Sequence, residues 1–446
     1  MESQKEQRSE SMRRNIFAGA GALVLTLLLI TGSMFLNQEQ TVVHAQDIMV
    51  PKFEADPYWP KPLPNNWVLG STIGVSVDSH GNIWVLHRPG TVAAMESLLT
   101  RQLADCCTAA PDVLEFNAAG DLLRYWGKAP GHDWPTMNHG ITVDKYGNVW
   151  IGGGGKGQPG PPPGSVAQFP ANLLNPTPPT YVPPPGSTSP HGAKHSHSNV
   201  YHDSFILKFS EDGKFLGEIG RANASTGDAD TKDVRGATQI RFIPGTDELL
   251  ASDGYGNHRV SVWDGKTLKF IRMFGAYGHT PSDADLPVYN PNSPQFGDAV
   301  HCAVPSNDGY IYVCDRTNDR IQIFKYDGTY VKQVVMEPNT RGGGSPWAIA
   351  FSNDPQQKFM YIADGANEKI HVFDRASMKE LYWFGGGGRQ PGQFYGVHTM
   401  TTDSHGNIFT GETYHGQRVQ KFVFKGMVPL STLLNAHHVG NSEIGK

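Results

Sequence analysis

Alternating apolar and polar residues recur along most of the chain, in pairs of short runs joined by turns rich in Asp, Asn, Ser and Gly. This period of two predicts half-buried antiparallel hairpins. A third short strand follows each hairpin, and a fourth often ends in an aromatic residue and a glycine, as in Phe384-Gly385. Four strands in each of six such units predict an all-β, six-bladed β-propeller. The units begin near Gly74, His139, Thr238, His301, Trp347 and His398.

The two ends of the repeat region indicate how the ring closes. The last unit has three strands of its own, and one strand-like segment, residues 67–70, precedes the first unit. We therefore predict that residues 67–70 close the propeller by joining the last blade. The corresponding boundaries are a lead-in at 46–66, the propeller at 67–425 and a C-terminal tail at 426–446.

Two insertions interrupt the repeats, at residues 89–112 and 153–203. The second is rich in Pro and His and has no strand period, so we interpret it as a long loop within the second blade. Both insertions lie between the second and the third strand of a blade. They should therefore emerge on the face of the disc where first strands begin and second strands end.

Residues 1–45 are a segment of a different kind. Basic residues precede an uncharged run at 16–36, and Val43-His44-Ala45 resembles a cleavage site. This order predicts a secretory signal peptide, with an uncleaved membrane anchor as the alternative. Both alternatives predict an extracytoplasmic protein, whether secreted, periplasmic or anchored to the outer face of a membrane. Membrane contact is expected only through this segment, if it is not cleaved.

Charge and cysteine usage agree with that compartment. The formal net charge of −5 argues against a nucleic-acid partner. Cys302 and Cys314 flank a turn and could form a disulfide across a hairpin, as exported proteins commonly do. Cys106 and Cys107 are adjacent, which makes them poor partners for each other.

Histidines open the second, fourth and sixth units: His139, His301 and His398. Alternate blades of six lie about 120° apart around the channel, so these imidazoles can meet at its centre. Neutral imidazole is a good zinc ligand, and three histidines with an open position form a catalytic arrangement. The alternative is that repeat duplication copied a structural histidine. The third and fifth units lack this histidine, which favours the metal site.

Arg88, Tyr255 and Arg316 follow second strands and should lie on the same face as the histidines. Each arginine could instead form an ion pair within its blade, and the tyrosine could pack on the rim. Beside a metal ion and an arginine, however, a phenol can act as a general base. Three other arginines recur at one loop position, which indicates an architectural role in bonding blade to blade: Arg259, Arg320 and Arg418.

Several motifs together resemble the peptidyl-α-hydroxyglycine α-amidating lyase family of NHL-repeat propellers. They are residues 74–78 leading to His87-Arg88, the Asp253-Gly254-Tyr255 loop and residues 315–322. The resemblance covers roughly residues 59–424. It implies that His139, His301 and His398 bind Zn²⁺, that Tyr255 is the base, and that Arg88 and Arg316 are active-site arginines.

The same family holds a calcium ion with two backbone carbonyls and an aspartate after the third histidine. Val75 and Ile141 match the carbonyl positions, but Thr399 stands where the aspartate would be. A threonine brings no formal charge to a hard cation, so this departure weakens the prediction of Ca²⁺.

The activity implied by the resemblance is cleavage of the N–C bond of a carbinolamide, giving an amide and a glyoxylate-type product. The expected partner is a small-molecule or peptide substrate, and the expected state is a monomer. Two alternatives stay open from the sequence. One is a non-catalytic extracytoplasmic NHL-propeller binding protein, and the other is lactone or ester hydrolysis.

Overall fold

The computed structural model describes residues 48–155, 202–284, 289–340 and 342–434. The predicted signal peptide or anchor, most of the 153–203 insertion and the end of the predicted tail lie outside these residues. Within the described ranges, no helix is both long enough and apolar enough to cross a membrane.

Six four-stranded antiparallel sheets form the blades, which confirms the predicted six-bladed β-propeller. In each blade the strands follow one another from the innermost outwards. They are Ser71–Val77, Ile83–Arg88, Val113–Phe116 and Leu122–Trp126; Asn138–Val143, Val149–Gly153, Phe205–Phe209 and Phe215–Gly220; Ala237–Phe242, Glu248–Asp253, Arg259–Asp264 and Phe270–Phe274; Val300–Pro305, Tyr310–Asp315, Arg320–Lys325 and Tyr330–Val335; Ala348–Phe351, Phe359–Asp364, Lys369–Asp374 and Lys379–Gly385; Val397–Thr402, Ile408–Glu412, Val419–Pro429 and Met49–Asp56.

The six innermost strands contact one another in a closed ring around the central channel. Side chains alternate across each strand, so every blade presents an apolar face to each neighbouring blade. The core therefore lies in layers between blades. Three tryptophans of second and third strands, Trp84, Trp150 and Trp263, are at most 1% exposed.

An N-terminal strand does complete the sixth blade, but it is Met49–Asp56 and not residues 67–70. Phe53 of this strand packs on Tyr361 of the fifth blade, with 5.4 Å between ring centroids. The strand was not predicted because Pro51 is untypical of a strand. An outermost strand tolerates proline, however, because one of its edges pairs with no other strand. The segment predicted to close the ring instead forms Trp67–Val68, which pairs in parallel with Thr108–Ala109 inside the first insertion.

A second, smaller unit includes the described residues 48–50 and 428–434. In its described part the Leu430 N–H donates to the Ile48 carbonyl at 2.8 Å. Residues 430–434 are helical.

The cysteines pair in two ways. Cys302 and Cys314 lie opposite each other on adjacent strands, 4.8 Å apart at Cα, and form a disulfide. The structure also joins Cys106 to Cys107, a pairing not expected from the sequence. The remaining described elements are short 3-10 turns: Pro89–Thr91, Ala94–Glu96, Ala276–Gly278 and Arg316–Asn318.

Arginines bond each of three blades to the segment that leads into it; two of them, Arg259 and Arg320, are fully buried, and Arg418 is partly exposed. Arg320 donates to Asp315 at 2.6 Å and to the carbonyls of Pro291 and Gln295 in the connection from the third blade. Arg259 and Arg418 make equivalent bonds, to Asp253 and Glu412 respectively and to their own connections. The architectural role predicted for these arginines is confirmed in part: they bond the connections between blades and not a neighbouring blade itself.

Candidate metal centre

The structure brings His139, His301 and His398 together in the central channel. Each is the second residue of an innermost strand, in the second, fourth and sixth blades. Their ring centroids lie 4.7 to 5.3 Å apart, and no ring is more than 5% exposed. Their ligand nitrogens all lie within 4.8 Å of one another. The group could therefore hold one metal ion.

A β-bulge at this position aims the histidines into the channel. The pairing register with the second strand skips His301 in the fourth blade and His398 in the sixth. In the second blade it skips Gly140, which follows His139 and has φ +68°. A bulge leaves one residue unpaired and turns the strand locally, which releases a side chain from the face that packs on the neighbouring blade.

Hydrogen bonds from the next blade fix two of the imidazoles. His139 Nδ1 bonds the Thr238 carbonyl at 2.6 Å, and His301 Nδ1 bonds the Trp347 carbonyl. A carbonyl accepts only, so Nδ1 carries the proton and Nε2 keeps a lone pair. Both Nε2 atoms are buried without a hydrogen-bond partner, and so is Nδ1 of His398. Buried orphan nitrogens that converge are what a metal ion would satisfy, so the residues fit one.

The electrostatics of the site favour the ligand form of these histidines. Burial lowers the pKa of all three imidazoles well below the usual value, and the positive charges of Arg88 and Arg316 lower it further. An imidazole must be neutral to bind a metal ion. The site therefore presents neutral nitrogen ligands across the neutral pH range.

Tyr255 stands beside the triad. Its ring centroid is 5.1 Å from that of His139 and 5.9 Å from that of His301. The ring is wedged between two glycines: a Cβ on Gly154 would lie 2.5 Å from Cδ2, and one on Gly236 would lie 2.8 Å from Cβ. Larger residues at these positions would displace the phenol.

The two predicted arginines flank the same space. Arg316 Nη1 donates to the Tyr255 hydroxyl at 3.2 Å, and its guanidinium lies 4.8 Å from the ring centroid of Trp347. Arg88 donates through Nε to the Asn138 carbonyl at 3.0 Å. Burial lowers the pKa of Arg88 to about 10, so it remains charged at neutral pH. The structure thus brings all six predicted zinc-site residues to one place.

Val75 and Ile141, the predicted calcium carbonyls, lie on the innermost strands of the first and second blades. The Ile141 carbonyl already accepts a hydrogen bond, from Arg241 Nη1 at 3.5 Å. Thr399, which replaces the expected aspartate, is 6% exposed beside His398.

Three site residues were not found from the sequence. Trp347 occupies in the fifth blade the position that histidine occupies in three other blades. Its carbonyl accepts the hydrogen bond from His301, and its ring packs against the guanidinium of Arg316. Thr238 holds the same position in the third blade. Aligning the units residue by residue would have indicated both. Tyr414, whose ring lies 6.1 Å from that of Trp347, comes from a loop with no repeat signal.

Comparisons with known proteins relate the chain to β-propellers. Residues 254–382 match a family model described as "Lactonase, 7-bladed beta-propeller". This match begins after the second strand of the third blade and ends in the outermost strand of the fifth, so it does not bear on the number of blades. A solved structure titled "Streptogramin B lyase structure" is similar at 12% identity and a TM-score of 0.45, over 86% of this chain and 100% of that one. No curated protein matches.

Proposed function

We propose that the protein is a metal-dependent lyase, similar to peptidyl-α-hydroxyglycine α-amidating lyases, that acts on the N–C bond of a carbinolamide. The observation that carries the proposal is the buried set of three convergent histidines with a tyrosine and an arginine hydrogen-bonded beside it. Zinc is the metal that three neutral imidazoles suit best. Bound there, it would supply Lewis acidity toward a substrate oxygen.

The charges around the triad favour an anionic substrate. The three ligands are neutral, and two guanidinium groups face the same space, those of Arg88 and Arg316. With a divalent ion added, the site carries a large positive charge. A carboxylate such as that of an N-acyl-α-hydroxyglycine would neutralise part of it and could accept bidentate bonds from an arginine.

In the proposed reaction, Tyr255 removes the proton of the substrate hydroxyl. The oxygen electrons form the carbonyl of the glyoxylate-type product as the C–N bond breaks, and the amide nitrogen takes the bonding pair and a proton. Arg316 supports this role because its donation to the phenol oxygen at 3.2 Å holds that oxygen beside the triad.

The test is release of glyoxylate from an N-acyl-α-hydroxyglycine, corrected for the rate without enzyme. We expect chelation or His301→Ala to abolish turnover. Tyr255→Phe should retain bound metal but lower kcat by about 10² to 10⁴-fold. Tyr58→Phe, at a residue that is 85% exposed, is the matched control and should be unchanged. Full activity in His301→Ala or Tyr255→Phe would rule out the proposed roles.

Hydrolysis of a lactone is the second candidate, because residues 254–382 match the lactonase propeller model. The same purified protein assayed with a γ-lactone separates the two. Metal-dependent ring opening without glyoxylate release from the hydroxyglycine would favour lactone hydrolysis over the lyase.

We also propose that the protein works outside the cytoplasm, as a monomer. The disulfide between Cys302 and Cys314 supports an oxidising compartment. Labelling of free thiols in the native, unreduced protein tests this; a labelled Cys302 or Cys314 would count against it.

A further inference from the structure

The third blade places a cationic side chain in the central channel. Arg241 lies on the innermost strand Ala237–Phe242. It lines one small cavity of about 10 Å³ together with the three histidines, Gln239 and Thr399. A space of this size holds about one water molecule. The guanidinium is therefore part of the channel wall next to the metal centre.

The surroundings of this guanidinium contain oxygen acceptors and no carboxylate. Arg241 Nη1 donates to the Ile240 carbonyl at 3.0 Å and to the Ile141 carbonyl at 3.5 Å. Within the described residues, no Asp or Glu lines the cavity or forms an ion pair with Arg241. Burial lowers the pKa of Arg241 to about 10, so the side chain is still charged at neutral pH. Two peptide dipoles partly offset the cost of burying that charge.

These same groups are the ones predicted to bind calcium by resemblance. Ile141 is one of the two predicted carbonyl ligands, and Thr399 replaces the aspartate. Calcium takes six to eight oxygen ligands and usually needs carboxylates among them. Here the Ile141 oxygen faces a positive guanidinium, and two cations at one carbonyl repel each other. The residues present do not fit a calcium ion.

We propose that Arg241 is a built-in cation that takes the place of calcium in the channel, so that the chain holds metal at the histidines and excludes calcium beside them. A covalently attached charge would make this part of the channel independent of the calcium concentration. The proposal concerns the channel and does not depend on the lyase reaction.

The test measures calcium on the purified protein by equilibrium dialysis with CaCl₂, alongside the thermal midpoint in EGTA and in CaCl₂. Wild type should bind no stoichiometric calcium, and its midpoint should be the same in both buffers. Thr399→Asp alone should behave likewise, because the new carboxylate can pair with Arg241. Arg241→Met combined with Thr399→Asp should bind one calcium per chain and gain at least about 3 °C in CaCl₂.

Three results would overturn the proposal. The first is stoichiometric calcium in wild type, or a saturable rise of its thermal midpoint with CaCl₂. The second is equal calcium binding by Thr399→Asp with and without Arg241→Met. That result would mean that the threonine alone prevents wild type from binding calcium. The third is a double variant that is folded by circular dichroism and binds no calcium. Stoichiometric calcium on the wild-type protein would overturn the proposal even if the double variant does not fold.

Discussion

At the scale of single residues, the site depends on one histidine from each of three blades pointing into the central channel. Repeat position predicted that His139, His301 and His398 would meet, because equivalent positions in alternate blades face a common axis. The bulges that turn them and the carbonyls of Thr238 and Trp347 that orient two of them were not predictable. Both come from backbone geometry and from the neighbouring blade, which a local pattern does not encode.

Arg88 offers a test of substrate charge at this scale. Its Nε is used by the Asn138 carbonyl, so the terminal nitrogens are the ones available to a carboxylate. Arg88→Lys should raise KM for an N-acyl-α-hydroxyglycine by about 10 to 100-fold, because lysine cannot form a bidentate pair. The matched control is the methyl ester of the same substrate, which has no carboxylate. Equal losses with both substrates would show that Arg88 does not bind that group.

At the scale of elements, the blades are joined by buried polar bonds as well as by apolar packing. The motif of an acidic residue ending the second strand and an arginine beginning the third was readable from its recurrence. The backbone carbonyls that complete each arginine lie in irregular connections, and no periodicity predicts them. The first, second and fifth blades lack this arginine. In the fifth, the third strand begins with Lys369, and a buried histidine, His371, bonds Asp364 instead.

Removing one of these arginines should be strongly destabilising. Arg320 and Asp315 are both fully buried, so Arg320→Met leaves an uncompensated carboxylate in the interior. We expect the free energy of unfolding to fall by about 3 to 5 kcal/mol in denaturant titrations. Lys61→Met removes an ion pair to Asp121 that is about half exposed and should leave the free energy of unfolding nearly unchanged. Similar losses in the two variants would contradict the assigned role.

His371 should make stability depend on pH. Burial alone would lower its pKa, but hydrogen bonds to Asp364 and Glu380, with Glu337 nearby, raise it to about 9. A folded-state pKa above the unfolded value of about 6.5 contributes stability that is fully present below about pH 6.5 and is lost as pH rises toward 9.

This effect is on the order of 3 kcal/mol, and it is measured as the difference in free energy of unfolding between wild type and His371→Gln. Unfolding titrations from pH 6 to 9.5 should show that difference shrink as pH rises. A difference that stays constant over this range would mean that His371 is neutral in the folded protein.

At the scale of the whole propeller, the number of blades and the strands within them followed from the period-two pattern and its six repeats. The closing strand Met49–Asp56 was not predicted, because Pro51 interrupts its strand pattern in the sequence. Ring closure is also a contact between distant parts of the chain, which a local pattern does not encode. The closed ring allows the candidate metal centre to form. It brings His139 and His398, which are far apart in sequence, to 4.7 Å between ring centroids.

We propose that the three histidines hold one catalytic metal ion, and the decisive test is elemental analysis of the purified protein. We expect about one zinc per chain in wild type. Zinc should be lost in His301→Ala but retained in Tyr255→Phe, with both variants folded by circular dichroism. A metal-free wild-type protein, or His301→Ala with undiminished zinc, would contradict it.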